Sequence, residues 1–387
     1  MKPRQTGKGA SVHPPRHGGT DAVAKIFGVR ASGKDFLDFS ISINPLGPPP
    51  GLMEALTQAL EAIPRYPEID SKTLSERLAS QHGITPEHII VGNGSSDLLF
   101  SLIPLLPVKC AVIPYPTFIE YERACQIYGW HILHIPPRET TNFTFDGQEI
   151  LSHITPKAAL FLCQPNNPTG QCMESEMLEK ILDRAEKNRT FIILDEAFLP
   201  FTDMDSAIPR VLRHKTLIVL RSMTKSYGIP GLRLGYAVAS PRIISRWKAY
   251  LPPWNVNVLA QTAGIYCLEN GGDHLDRSKA FIREEMGWMA AEIRKNAPFV
   301  PLPSETNFSL AFINSDVLSA DDIFFSLGKR GILVRHCGSF RGMGNRHIRI
   351  GIKKRADNQR LIAALRDLAG DISSLHPESQ LSAGNVS

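Results

Sequence analysis

Between about residues 85 and 240 the chain alternates short, unbroken apolar runs with segments of helical period, and this limits the fold more than any other feature. The runs lie at 88–91, 110–113, 159–163, 191–194, 217–220 and 234–239. Apolar residues on both faces of a strand require cover on both sides, which is the condition of a mostly parallel sheet sandwiched by helices. The segment after Gly170 shows the other period. Met177, Leu178, Ile181, Leu182 and Ala185 share one face, and Glu176, Glu179, Lys180, Arg184 and Lys187 fill the rest, so it crosses over between strands.

After about residue 270 the pattern changes to a helix over 278–296, strands over 308–313, 332–336 and 348–352, and a closing helix over 357–368. The expected fold class is therefore α/β, with a large mostly parallel-sheet domain and a smaller α+β domain. The expected division is an N-terminal arm at 1–50 packed on the smaller domain, a large domain at 51–269, a small domain at 270–370 and a flexible tail at 371–387.

Composition agrees with such a chain. With 387 residues, 43% hydrophobic and 21% charged, there is apolar surface for a large core. A net charge of +5 is too weak for a nucleic-acid surface, yet it leaves small anionic substrates open. The six cysteines form no C-x-x-C pair and sit at no metal-ligand spacing, so reduced thiols mostly in the core, and no metal, are expected. No run approaches the roughly 20 apolar residues that span a bilayer. Residues 1–16 are basic and rich in Pro and Gly, without the apolar centre of a signal peptide. A cytoplasmic protein with a loose arm is expected, with neither nucleic acid nor membrane as partner.

Four segments carry chemistry. Ser222-Met-Thr-Lys-Ser-Tyr-Gly follows the run at 217–220, and Arg233 lies eight positions beyond Lys225. A lysine just past a buried strand, with the hydroxyls of Ser222 and Thr224 and an arginine nearby, can form a Schiff base beside a phosphate site, as pyridoxal phosphate requires. Taken alone, Lys225 also reads as an ordinary surface lysine. Asp195 ends the run at 191–194, where an acidic group is costly unless paired, and a pyridinium nitrogen is a fitting partner. Pro165-Asn-Asn-Pro-Thr-Gly can present Asn167 to the cofactor's phenolic oxygen, or be a plain turn. Gly92-Asn-Gly-Ser-Ser-Asp opens a helix after the run at 88–91, where backbone N–H groups bind phosphate. As a dinucleotide fingerprint it is weak, because Asp97 stands in place of the third glycine.

The chain order of these segments, with Phe118 between Gly92-Asn-Gly-Ser-Ser-Asp and Pro165-Asn-Asn-Pro-Thr-Gly, resembles the aspartate aminotransferase superfamily, fold type I of the pyridoxal phosphate enzymes, over roughly residues 15–370. Within it the chain is similar to the threonine-phosphate decarboxylases of cobalamin biosynthesis, relatives of histidinol-phosphate aminotransferase. The pointers are His17-Gly18-Gly19, Leu37-Asp-Phe-Ser, Ile43-Asn-Pro-Leu-Gly, Arg65-Tyr-Pro, Asp195-Glu-Ala-Phe and Ile229-Pro-Gly-Leu-Arg-Leu-Gly-Tyr. The resemblance implies pyridoxal 5'-phosphate as cofactor and Lys225 and Asp195 as catalytic residues. It implies Phe118 stacked on the ring, Asn167 at the phenolic oxygen, and Ser95, Ser96, Ser222, Thr224 and Arg233 around the phosphate. It also implies a homodimer with shared active sites, in which Tyr66 reaches the neighbour's cofactor phosphate. Phe198 stands where transaminase relatives often carry Tyr, which removes a hydrogen bond to the phenolic oxygen.

Arg335 and Arg349 flank a Gly-rich segment centred on Gly342. If the flanking strands pair as a hairpin, the two guanidiniums face the same side and repel unless anions satisfy them. A phosphoamino acid carries both a carboxylate and a phosphate; the competing expectation is a structural ion pair at one or both arginines. By the resemblance His17 and Gly18 lie over the active site and contact the substrate's anionic end, with Asn167 also touching substrate. Ser42 stands where the decarboxylases usually have Asn. The expected reaction is decarboxylation of O-phospho-L-threonine, with an aminotransferase for histidinol phosphate or a similar amine as the alternative, and an O-phosphoserine preference further behind. A cofactor-binding regulator is disfavoured, because residues 1–16 are too short and Pro-rich to be a DNA-binding module.

Overall fold

The computed structural model describes residues 14–20, 26–27, 36–138, 142–296 and 298–375, with side chains to residue 370. In chain order the strands are β1 (Leu37–Asp38), β2 (Ile89–Gly92), β3 (Cys110–Pro114), β4 (His131–Ile135), β5 (Ala159–Cys163), β6 (Phe191–Asp195), β7 (Leu217–Ser222) and β8 (Gly235–Val238). They are followed by β9 (Phe299–Pro301), β10 (Phe308–Ile313), β11 (Ile332–Leu333), β12 (Arg335–His336) and β13 (His347–Gly351).

β2 to β8 form one seven-stranded sheet in the order β2-β8-β7-β6-β5-β3-β4. From β4 to β7 every neighbouring pair is parallel, while β8 runs antiparallel to both β7 and β2. Alternate residues of the central strands enter two different cores. Leu160, Ile192, Leu194 and Val219 pack with Leu178, Ile181, Leu182 and Ala185 of the helix Ser175–Asn188. Phe161, Ile193, Ile218 and Leu220 pack with Leu98, Leu102, Ala124 and Trp247 on the opposite face. This double burial is the physical reason the strands read as unbroken apolar runs.

β4 was not expected from the sequence. Its residues alternate exposed and partly buried at the sheet edge, and His131 and His134 interrupt the apolar signal. The remaining strands build a four-stranded antiparallel sheet, β12-β13-β10-β9, and a two-stranded parallel pair of β1 with β11. Ile293, Ala311, Ile323, Leu327, Ile348 and Leu365 lie in its core.

Several expected bounds are corrected. The strand expected at 332–336 is two strands, because β11 pairs with β1 while β12 turns to β13. β13 starts one residue before 348, and the helix expected at 278–296 is Gly272–Arg294. The closing helix is Arg355–Leu375 and runs through residues 371–375 of the expected tail; 376–387 lie outside the described residues, as do residues 1–13 of the expected arm. The six cysteines are free thiols: Cys125, Cys267 and Cys337 are buried, Cys110 and Cys163 are half-buried and packed against the cores, and Cys172 is half-buried. Among the described residues no helix is long and apolar enough to cross a membrane, and no cluster of metal-ligating side chains occurs.

Candidate active site

The carboxyl ends of β5, β6 and β7 lie side by side, the edge at which parallel sheets present ligands. Asp195, the last residue of β6, is 5% exposed. Its Oδ2 accepts from Tyr121 Oη at 2.7 Å and its Oδ1 from the Ala197 N–H at 2.9 Å. Burial pushes its carboxyl above the usual range, against the pull of Lys225 and the Tyr121 bond. Lys225 lies in the short helix Met223–Ser226 directly after β7. Burial lowers its ammonium from the usual lysine range, and Asp195 opposes this. Its Nζ donates to Ser222 Oγ at 3.3 Å and sits 5.1 Å from the centre of the Phe198 ring. The backbone around Lys225 is fixed by Asn44, whose N–H donates to the Lys225 carbonyl at 2.9 Å and whose amide donates to the Ser226 carbonyl at 2.7 Å.

The phosphate-binding candidates converge at the start of the helix Ser95–Leu102. First-turn N–H groups have no acceptor within a helix, so those of Ser95 and Ser96 are available to a ligand. Gly94 has φ 88°, and a Cβ there would lie 2.7 Å from Arg233 Nη2. Gly235 brings β8 so close that its Cβ would stand 2.5 Å from the Ser95 nitrogen. Gly235 is also the register partner of Ser222, whose hydroxyl shares a 2.7 Å hydrogen bond with that of Thr224. Backbone donors, a guanidinium and hydroxyls thus meet on one side of a buried lysine, with a buried carboxylate on another. This donor set fits pyridoxal phosphate.

The expected juxtaposition of the two arginines is present: Arg335 and Arg349 are direct partners across β12 and β13. Both are buried, and among the described residues neither pairs with a carboxylate. Arg349 donates to Asn167 Oδ1 at 2.5 Å and to the Ser40 carbonyl at 3.0 Å, lies 4.9 Å from the Phe308 ring centre, and leaves its Nε unpartnered. Burial and the neighbouring Arg335 push its guanidinium down to about 10. Arg335 is lowered by burial as well, and it donates to the Pro15, Arg16 and His336 carbonyls and to Ser339 Oγ. The expected structural ion pairs are therefore absent from the described residues.

Other expected site residues sit differently. Ser42 is buried with its hydroxyl unpartnered. His17 meets Glu120 through Nε2 at 2.9 Å, and Gly18 presses on Ser40. Phe118 packs edge-on against Tyr121, their ring centres 5.4 Å apart. Tyr66 is 80% exposed and stacks on Trp254 at the surface of its own chain. Sequence reasoning missed Tyr121, Asn44 and Glu120. Tyr121 had a weak signal, an aromatic three positions after Phe118, and Asn44 had none beyond its place in Ile43-Asn-Pro.

The family described as aminotransferase class I and II matches residues 34–365 of the chain. The threonine-phosphate decarboxylase of Salmonella typhimurium is 35% identical over 356 residues, covering 91% of this chain and 96% of its own. The histidinol-phosphate aminotransferase of Pyrococcus furiosus is 34% identical over 326 residues, covering 84% of this chain and 90% of its own. Among solved structures, the histidinol-phosphate aminotransferase of Clostridium acetobutylicum superimposes with a TM-score of 0.81 at 27% identity, covering 86% of this chain and 99% of its own.

Proposed function

Because the chain belongs to the aminotransferase class I and II family, and so to the pyridoxal phosphate-dependent enzymes of fold type I, we propose that it decarboxylates O-phospho-L-threonine to (R)-1-aminopropan-2-yl phosphate and CO2. It would act in the cytoplasm, for the aminopropanol arm of cobalamin. The observation that carries this reading is the buried pair Arg335 and Arg349, set opposite one another with no carboxylate partner among the described residues. A carboxylate and a phosphate on one small substrate supply an anion for each. Similarity to the decarboxylase of Salmonella typhimurium supports the same substrate.

When bound, pyridoxal phosphate supplies an electron sink for the pair released from a broken bond at Cα. In this reading Lys225 Nζ holds the cofactor, and Asp195 holds the proton on its ring nitrogen, itself kept in place by Tyr121 and the Ala197 N–H. Ser95, Ser96, Ser222, Thr224 and Arg233 hold its phosphate, Phe118 covers the ring, and Asn167 faces the phenolic oxygen. Phe198 brings no hydroxyl to that oxygen, and its ring edge packs on Phe308, 5.0 Å between centres. Arg335 and Arg349 would hold the substrate's two anionic groups and so decide which bond at Cα is presented for cleavage. Lys225 Nζ would be the group that returns a proton to the substrate's Cα. Presenting the Cα–H bond instead would favour transamination, the activity named for the Pyrococcus furiosus relative.

The test is incubation of the holoenzyme with O-phospho-L-threonine, with and without 2-oxoglutarate. CO2 and aminopropanol phosphate should form at the same rate in both. Turnover of histidinol phosphate that depends on 2-oxoglutarate, without CO2 from phosphothreonine, would replace the decarboxylase with an aminotransferase.

A further inference from the structure

The helix Glu120–Ile127 begins with two carboxylates, Glu120 and Glu122, that line a cavity together with Thr117 and Phe118. Glu120 is only 6% exposed, yet it belongs to neither the cofactor nor the substrate groups. Its Oε1 accepts from His17 Nε2 at 2.9 Å and its Oε2 from Arg123 Nη1 at 2.9 Å. Two residues on, Glu122 accepts from Arg341 at 2.8 and 3.3 Å, which ties the Gly-rich loop between β12 and β13 to the same helix.

His17 belongs to an arm that is held at several points. Arg335 binds its Pro15 and Arg16 carbonyls, and Ser40 Oγ accepts from the Gly19 N–H at 2.9 Å. A Cβ on Gly18 would lie 2.5 Å from the Ser40 carbonyl oxygen, so the backbone lies flat on that residue. Ser40 and Arg335 are also the residues that contact or oppose Arg349. The arm thus bridges from the arginine pair to Glu120. Between arm, loop and helix opens a cavity of about 600 Å³ lined by Arg16, Thr117, Phe118, Glu120, Ser339 and Arg341. Arg123 is a neighbour of Glu120 within its own helix, so its ion pair with Glu120 does not by itself tie the helix to anything else; the His17 contact does.

We infer that Glu120 is a positioning residue: by holding His17 it keeps the arm across the anion-binding end of the site and aims the imidazole at the substrate. An ionised carboxylate only accepts, so the His17 Nε2–H must donate to it, which fixes the ring's orientation. The inference rests on the phosphoamino-acid reading for the identity of the anion, but the latch itself is a property of the arm and can be tested separately.

The test compares wild type, Glu120→Gln, Glu120→Ala, His17→Ala and the double variant Glu120→Ala/His17→Ala, all as holoenzymes. Trypsin cleavage between Arg16 and His17, followed by mass spectrometry, reports release of the arm; it should be several-fold faster in Glu120→Ala than in wild type. With O-phospho-L-threonine, Glu120→Ala should raise KM about tenfold with kcat little changed, since a charge-assisted contact is lost. Glu120→Gln, which keeps an acceptor, should recover part of the loss. The double variant should be no worse than His17→Ala, because Glu120 acts through His17. Equal cleavage rates in wild type and both Glu120 variants, or KM effects that multiply in the double variant, overturn the inference. Failure of wild type to release CO2 from phosphothreonine would overturn the decarboxylase reading alone, and the trypsin comparison would still decide the latch.

Discussion

The candidate chemistry depends on a few buried polar groups whose environments oppose one another. Asp195 and Lys225 are both pushed by burial toward their neutral forms, and each is drawn back by the other's charge. Lys225→Ala should abolish both the visible absorbance of the lysine-bound cofactor and turnover; borohydride fixing the cofactor to another lysine would relocate the attachment site. Asp195→Asn should keep some cofactor and lose most activity, since an amide cannot hold the ring nitrogen's proton electrostatically. Arg349 couples stability to pH. Its folded pKa is lowered to about 10, below the ordinary arginine value, so burying the charged form costs stability at every pH below that value. That cost fades only as pH rises from the folded toward the unfolded pKa. An anion at the pair removes it at neutral pH, so phosphate should raise the Tm of the holoenzyme, and the increment should shrink in Arg349→Ala. In turnover, Arg→Ala at 335 or 349 should weaken kcat/KM for phosphothreonine about tenfold to a hundredfold, from the roughly 1.5 to 3 kcal/mol of a charge-assisted bond.

At the scale of elements, the site is made by where strands stop and helices start. β6 ends on Asp195, β7 on Ser222, and the helix Ser95–Leu102 begins where Gly94 and Gly235 leave room for its first turn. Gly94→Ala combines a positive φ with a Cβ 2.7 Å from Arg233 Nη2, so it should weaken cofactor binding more than it lowers Tm. A cofactor titration followed by absorbance checks this; unchanged affinity would mean that Arg233 moves aside without consequence. The central strands were legible because they are buried on both faces. β4 was hidden by its edge position, and the break between β11 and β12 by a continuous apolar run, Ile332 to Val334, that carries no mark of a change of partner.

On the whole molecule, Leu60, Ile63, Tyr66, Ile69 and Trp254 stand exposed although each is large and apolar or aromatic. We propose that a second copy of the chain covers this surface, with Tyr66 reaching the neighbour's cofactor phosphate. Sedimentation should find a dimer, and Ile63→Lys should weaken it together with cofactor affinity; a monomeric, fully active wild type would refute shared sites. What the sequence determined by itself was local or periodic: the doubly buried strands, the Ser175–Asn188 face, and the pairing of Arg335 with Arg349, which follows from one glycine-rich loop between two strands. The candidates Lys225, Asp195 and Asn167 could be picked out as well, since each lies within five residues of the end of an apolar run, whereas Phe118 came from the family resemblance alone. Only the tertiary structure decided that Tyr121 bonds Asp195, that Asn44 fixes the backbone of Lys225, and that Glu120 takes hold of His17. These contacts join residues from 74 to 182 positions apart, or 103 for the last. No propensity or period spans such distances, because the contacts exist only once the helix Glu120–Ile127, β6, the helix Met223–Ser226 and the N-terminal segment have packed together.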